Sequence, residues 1–152
     1  MGLNLKGYFF LSQAVGKVMR TRGSGSIINV SSEDGIRPGL GAGVYSISKA
    51  GVIMLTQVLA QEWGHYNIRV NTIAPGIVKT RFSTALWSNP VIRKESEDNT
   101  ALARIAEPDE IVGAAIFLAS EASSYMTGQT IMLDGGHFSS VRMLLSTIAS
   151  PD

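Results

Sequence analysis

The stretch S-I-I-N-V at 26–30, the helical pattern at 44–63 and the stretch I-R-V-N-T-I-A at 68–74 decide the fold between them. Both short stretches are rich in β-branched residues and bounded by small or turn-forming ones, which marks strands. Pro75-Gly76 stops the second. Five Gly or Pro residues between Ser31 and Gly43 make that segment a loop. Along 44–63, Val52, Leu55, Val58, Leu59 and Glu62 recur at i, i+3, i+4, i+7. Four of these five are apolar, so one helix face is expected to be buried.

The same alternation continues outward. Tyr8, Leu11, Val15, Val18 and Met19 recur at helical spacing over about 5–21, and Gly23-Ser24-Gly25 ends that helix. Residues 77–107 lack a clear period. They are too many for a plain connection, so they are expected to be functional or partly helical. Pro108-Asp109-Glu110 opens a helix running to about Ser120, with Ile111, Ala115 and Leu118 on one face. Gln129 to Leu133 is a third strand, closed by Asp134-Gly135-Gly136. Helix and strand in alternation give an α/β fold: a doubly wound, Rossmann-like parallel sheet with helices on both faces. Residues 1–138 form this one domain, and residues 139–152 read as a tail with no assignable structure.

Composition narrows the function. Hydrophobic residues at 45% and charged residues at 16% are ordinary for a globular domain, which excludes disorder. A net charge of +1 offers no field for nucleic acid or an anionic membrane, and no apolar run reads as long as a membrane span. The absence of cysteine removes disulfides, thiolate catalysis and zinc–thiolate sites. His65 and His137 lie far apart, so no metal site is expected. Neither end reads as an address, which makes the cytoplasm the expected compartment.

Ligands on such a sheet bind beyond the carboxyl ends of the strands. Three segments lie there: Ser31-Ser32, Pro75-Gly76-Ile77 and Asp134-Gly135-Gly136. The first two are the candidates for chemistry. Tyr45 and Lys49, four residues apart near the start of the long helix, share a face with Cβ atoms about 6 Å apart. An ammonium beside a phenol favours the phenolate and pulls its pKa toward the working range. The Ser32 hydroxyl can hydrogen-bond a substrate oxygen, although a serine after a strand more often caps its own loop. Pro75-Gly76 leaves backbone open to a planar ligand, or is a simple turn.

N-L-K-G at 4–7, N-V-S-S at 29–32, Y-S-I-S-K at 45–49, R-V-N-T-I-A-P-G at 69–76 and T-G-Q-T-I-M-L-D-G-G at 127–136 follow in order. Together they resemble the short-chain dehydrogenase/reductase family over about residues 3–137. The resemblance implies an oxidoreductase that moves a hydride between NAD or NADP and a small carbonyl or alcohol substrate. It implies that Tyr45 transfers the proton, that Lys49 lowers its pKa and binds the nicotinamide ribose, and that Ser32 orients the reacting oxygen. It implies that Asn4 holds a relay water, and that Pro75, Gly76, Ile77 and Thr80 border the nicotinamide. The stretch from about Arg81 to Arg104 resembles the variable substrate lid. The family also pairs subunits through the helices at 5–21 and 44–63 and through the last helix and strand. A homo-oligomer, a dimer or tetramer, or association with a full-length relative is therefore expected.

The family's glycine-rich strand–turn–helix, which seats the pyrophosphate, has no counterpart here. Gly39-Leu40-Gly41-Ala42-Gly43 follows Pro38 and stands away from the strand, so it reads as the loop delivering Tyr45. The chain is expected to be the catalytic half of such an enzyme, a fragment that holds cofactor weakly. Two alternatives stand beside it. One is a non-catalytic oligomerisation module. The other is a serine acyl-transfer enzyme built on Ser46-Ile47-Ser48-Lys49, although no S-D-N element is present and Arg81 replaces the glycine of a K-T-G.

Overall fold

The central strand is buried along most of its length. In the computed structural model, which describes residues 2–137, β2 (Ile68–Pro75) lies between β1 (Gly25–Val30) and β3 (Thr130–Leu133). Both pairings are parallel, with Ile27 opposite Val70 and Ile73 opposite Ile131. A strand covered on both faces reads as a near-continuous apolar run, and Ile68, Val70, Ile73 and Ala74 are buried accordingly.

The helices are α1 (Gly7–Arg22), α2 (Gly43–Trp63), α3 (Thr84–Trp87), α4 (Pro90–Asn99) and α5 (Asp109–Ala119). The two-residue period of the strands assigns them to faces. Ile27, Ile68 and Val70 point to one side, where they pack with Leu59 and Ala60 of α2 and with Val15 and Met19 of α1. The alternate residues point to the other side. There Ser26 Oγ donates to Leu118 O at 2.9 Å, and Arg69 donates to Leu118 O at 2.9 Å and Ser120 O at 3.1 Å. The Arg69 guanidinium thus caps the carboxyl end of α5, where carbonyls lack partners and a cation is favoured. Helices therefore cover both faces, as the alternation requires.

Several expectations shift in detail. On α1 the inward stripe is Ser12 and Gly16 with Val15 and Met19, while Leu11 and Val18 face outward. The reason is close approach: a Cβ on Gly16 would lie 2.6 Å from the Trp63 ring, so small residues mark this contact. Val58 of α2 is likewise exposed, and Thr56 takes the inward place instead. Residues 77–107 contain α3 and α4, joined by short turns. Ahead of α1 the chain makes a π-helical turn, Gly2–Lys6. The segment Gly43–Tyr66 is long and apolar enough to cross a membrane, with mean hydropathy 1.3, which corrects the expectation that no run reaches that length. Its buried face packs on the sheet through Val52, Thr56, Leu59 and Ala60, as a core helix does. Residues 138–152, including the tail expected at 139–152, lie outside the described residues.

One buried polar junction ties three elements together. Asn29 Nδ2 of β1 donates to Thr56 Oγ1 at 2.8 Å, and Thr72 Oγ1 of β2 donates to it at 2.7 Å. Thr56 Oγ1 in turn donates to Val52 O at 3.0 Å. Thr56→Val leaves the Asn29 amide and the Thr72 hydroxyl buried without this acceptor. We expect a loss of about 1–3 kcal/mol of stability, read as a lower urea midpoint at unchanged slope, with Thr56→Ser losing much less.

Candidate active site

The carboxyl end of β1 runs into a 3₁₀ turn, Glu33–Gly35, that packs on the first half of α2. Ser31 Oγ donates to Lys49 O at 2.8 Å and fixes the loop to that helix. Gly35 is required at the contact, because a Cβ there would lie 2.8 Å from the Lys49 carbonyl carbon and 2.8 Å from Ser31 Oγ. Ser32 follows, with its loop-capping role visible. Its Oγ accepts from Asp34 N at 3.2 Å, capping the turn, and its side chain stands near enough to the Tyr45 phenol to lower its pKa.

Tyr45 and Lys49 stand on one face of α2, as their spacing requires. The electrostatics differ from the simple expectation. Burial holds the Tyr45 phenol above its ordinary range, the neighbouring Ser32 side chain pulls it down, and the Asp34 carboxylate pushes it up. Lys49 Nζ lies over the Tyr45 ring, 5.6 Å from its centroid, and donates to Val30 O at 3.0 Å. Its charge therefore bears on the ring face while its donor serves the backbone, and burial lowers its own pKa. Tyr8 completes this corner. Its hydroxyl donates to Val30 O at 2.9 Å, and Lys49 Nζ is 5.8 Å from its ring centroid. Burial, and the neighbouring Tyr45, raise the Tyr8 pKa.

A cleft of about 540 Å³ opens here, and Ser32, Tyr45, Lys49, Pro75, Gly76, Ile77 and Thr80 all line it. Seven of the eight residues singled out from the sequence thus share one wall. Asn4 is not on that wall. Its Nδ2 donates to Ser48 Oγ at 3.4 Å, and Ser48 Oγ donates to Tyr45 O at 2.7 Å, so Asn4 braces the turn that carries Tyr45. Gly76 lies where two strand ends meet: a Cβ there would be 3.1 Å from Asp134 Cα. Thr80 also shapes its own turn, since its carbonyl accepts from Trp87 Nε1 at 2.9 Å. Ser46, the nucleophile of the acyl-transfer alternative, is buried and does not line the cleft.

Three further residues stand at the site that sequence reasoning passed over. His137 Nδ1 donates to Glu33 Oε2 at 2.8 Å, and Arg37 Nη1 donates to His137 O at 2.6 Å. Arg37 also lies 3.6 Å from Asp134 Oδ2. Burial raises the Glu33 pKa, and His137 opposes that rise. The signal was available: Asp134-Gly135-Gly136 also follows a strand's carboxyl end, the position at which this fold presents ligands.

Comparison with known proteins places this geometry. The family model described as Enoyl-(Acyl carrier protein) reductase matches residues 1–137. The galactitol 2-dehydrogenase (L-tagatose-forming) of Cereibacter sphaeroides is 41% identical over 140 residues, which cover 90% of this chain and 55% of that protein. A solved gluconate 5-dehydrogenase from Burkholderia cenocepacia, in complex with NADP and tartrate, is 38% identical at a TM-score of 0.83, covering 91% of this chain and 54% of its own. A 7α-hydroxysteroid dehydrogenase complexed with NADH and 7-oxo glycochenodeoxycholic acid is 33% identical at a TM-score of 0.84, covering 90% and 53%. The chain spans about half the length of the curated relatives it matches.

The Ser32 hydroxyl lowers the pKa of the Tyr45 phenol, so its removal moves that pKa further up. In an ultraviolet titration of tyrosinate, taken as the difference from a Tyr45→Phe control, Ser32→Ala is expected to shift the Tyr45 transition to higher pH. An unmoved transition removes Ser32 from the phenol's environment.

Proposed function

The chain belongs to the short-chain dehydrogenase/reductase family, and from that premise we propose that it carries the acid/base centre of an NAD- or NADP-dependent enzyme acting on a secondary alcohol or its carbonyl. The observation that carries the proposal is the meeting of Ser32, Tyr45 and Lys49 on one cleft wall at the carboxyl ends of β1 and β2. A nicotinamide cofactor fits the donors present: Lys49 offers an ammonium for a ribose hydroxyl, and Pro75, Gly76, Ile77 and Thr80 offer a wall for a planar ring. When bound, it supplies or accepts the hydride.

The chain's own residues handle the proton. Tyr45 gives its phenolic proton to the substrate oxygen during reduction, or takes it during oxidation. Ser32, on the same cleft wall as the phenol, orients that oxygen and stabilises charge on it. Lys49 places positive charge against the tyrosine ring, which favours the phenolate state through which Tyr45 cycles. Asn4 acts as a positioning residue through Ser48, and its part in a proton relay to Lys49 belongs to the same proposal. The closed environment that raises the resting pKa of the phenol also strengthens each of these interactions once substrate excludes water.

A second reading concerns assembly. Phe10 and Leu11 on α1, Ile47 and Met54 on α2, and Val112 and Ile116 on α5 are exposed. Apolar faces of this extent mark association surfaces, which supports pairing with a second copy or with a longer relative. The expected outcome in analytical ultracentrifugation is a dimer or tetramer, and a monomer at every concentration sinks this reading.

For the catalytic reading, Tyr45→Phe is expected to lower turnover by about 10²–10⁴-fold while cofactor titration is preserved. Turnover within about threefold of the parent is incompatible with a general acid of that magnitude.

A further inference from the structure

A second cavity, of about 190 Å³, adjoins the cleft, and Glu33, Gly76 and Ile77 line both. Its far walls come from segments that carry none of the acid/base residues. Ser96 and Thr100 enter at the end of α4, and Arg104 and Glu110 lie across the entry to α5. Asp134 and His137 arrive from the turn after β3. Glu33 follows Ser32 directly in the chain, so its carboxylate stands one residue from the hydroxyl assigned to the reacting oxygen. Its two oxygens are differently placed. Oε2 accepts from His137 at 2.8 Å, and a Cβ on Gly76 would lie 3.4 Å from Oε1. Oε1 therefore faces the seam between cleft and cavity.

The charges around that seam are already paired. The cavity wall carries the carboxylates of Glu33, Glu110 and Asp134 with the Arg104 guanidinium and the His137 ring, and Glu33 is held by His137. Arg104 is consumed by Glu110 in a two-point pair at 2.7 and 2.6 Å. Arg37, behind the wall, is directed to Asp134 and the His137 carbonyl. An anionic substrate arm meets cations already engaged by carboxylates here, whereas a hydroxyl meets a carboxylate acceptor. Carboxylate acceptors make the stronger class of hydrogen bond, and a site built to bond a substrate hydroxyl discriminates sharply against an analogue that lacks it. The apolar side chains Leu102, Ile105 and Ile111 leave room for the carbon backbone between the polar points.

We propose that Glu33, oriented by His137, is a substrate-binding residue that selects a neutral polyhydroxy alcohol, or the matching ketone, by accepting a hydrogen bond from the hydroxyl next to the reacting carbon. This inference rests on the alcohol/carbonyl reading of the cleft given above.

The test compares xylitol, 2-butanol and gluconate in the protein carrying this chain with cofactor present. Wild-type protein is expected to use xylitol best and gluconate worst. Glu33→Gln is expected to lower kcat/KM for xylitol about 10–100-fold relative to 2-butanol, the scale of losing one hydrogen bond to a charged group. Calorimetric titration provides a readout independent of turnover and of how the variant folds: wild-type protein binds xylitol more tightly than gluconate. Equal losses on both alcohols, an unchanged ratio, a preference for gluconate, or no measurable xylitol binding each overturns the proposal. The catalytic reading fails separately. If Tyr45→Phe retains turnover while Glu33→Gln still shifts the preference, the acid/base assignment falls and the substrate assignment stands.

Discussion

The Thr56 hydroxyl is the point on which the arrangement turns. It has one proton to give and two lone pairs to offer, and all three are used: by Val52 O, by Asn29 and by Thr72. A buried hydroxyl in this state fixes direction as well as contact, because hydrogen bonds tolerate little misalignment. Apolar packing of Leu59 and Ala60 holds α2 against the sheet but leaves it free to slide or roll by small amounts. The Thr56 junction removes that freedom with respect to β1 and β2 together. Tyr45 and Lys49 lie two to three turns earlier on the same helix. Their distance from Ser32, which leaves the end of β1, follows from this registration.

At the site itself, opposing effects of similar character are superimposed. Burial makes the Tyr45 phenolate costly, and Asp34 adds to the cost, while Ser32 works against both. Lys49 is desolvated by the same surroundings. Two groups whose charged forms are both disfavoured, set on one helix face, share an interest in exchanging protons with something placed between them. The Val30 carbonyl, which accepts from Lys49 and from Tyr8, holds the ammonium at the strand end and keeps it against the two aromatic rings.

Much of this was legible in the sequence. Strand identity came from β-branched runs between turn residues, and the helix-face pair from a spacing of four. What failed to show was any residue whose inward placement rests on smallness or polarity. Leu11 and Val18 satisfy a helical period yet face outward, because Ser12 and Gly16 make the close contact with Trp63. Thr56 lies inward for a hydrogen bond that apolar periodicity cannot register. Asn4, given a relay water by likeness, also bonds Ser48, which in turn bonds the Tyr45 carbonyl, a link that spacing does not show. Glu33 and His137 were the least visible of all. A turn residue and a residue after β3 become neighbours only once three strands are set side by side; what the sequence offered was that each follows a strand's carboxyl end.

Strand order in this sheet is also chain order, β1-β2-β3. Each strand adds beside the one just before it, so the sheet grows by local steps and no strand has to be threaded between two already paired. The cleft that holds Tyr45 is lined by residues from Val30 to Leu86, all ahead of β3 in the chain. The Glu33–His137 bond spans 104 residues, and the entropy of closing so long a loop is met only after β3 has docked. Growth of the chain therefore builds the two cavities in sequence: the one lined by Tyr45 comes first, and the one that adjoins it is completed after β3.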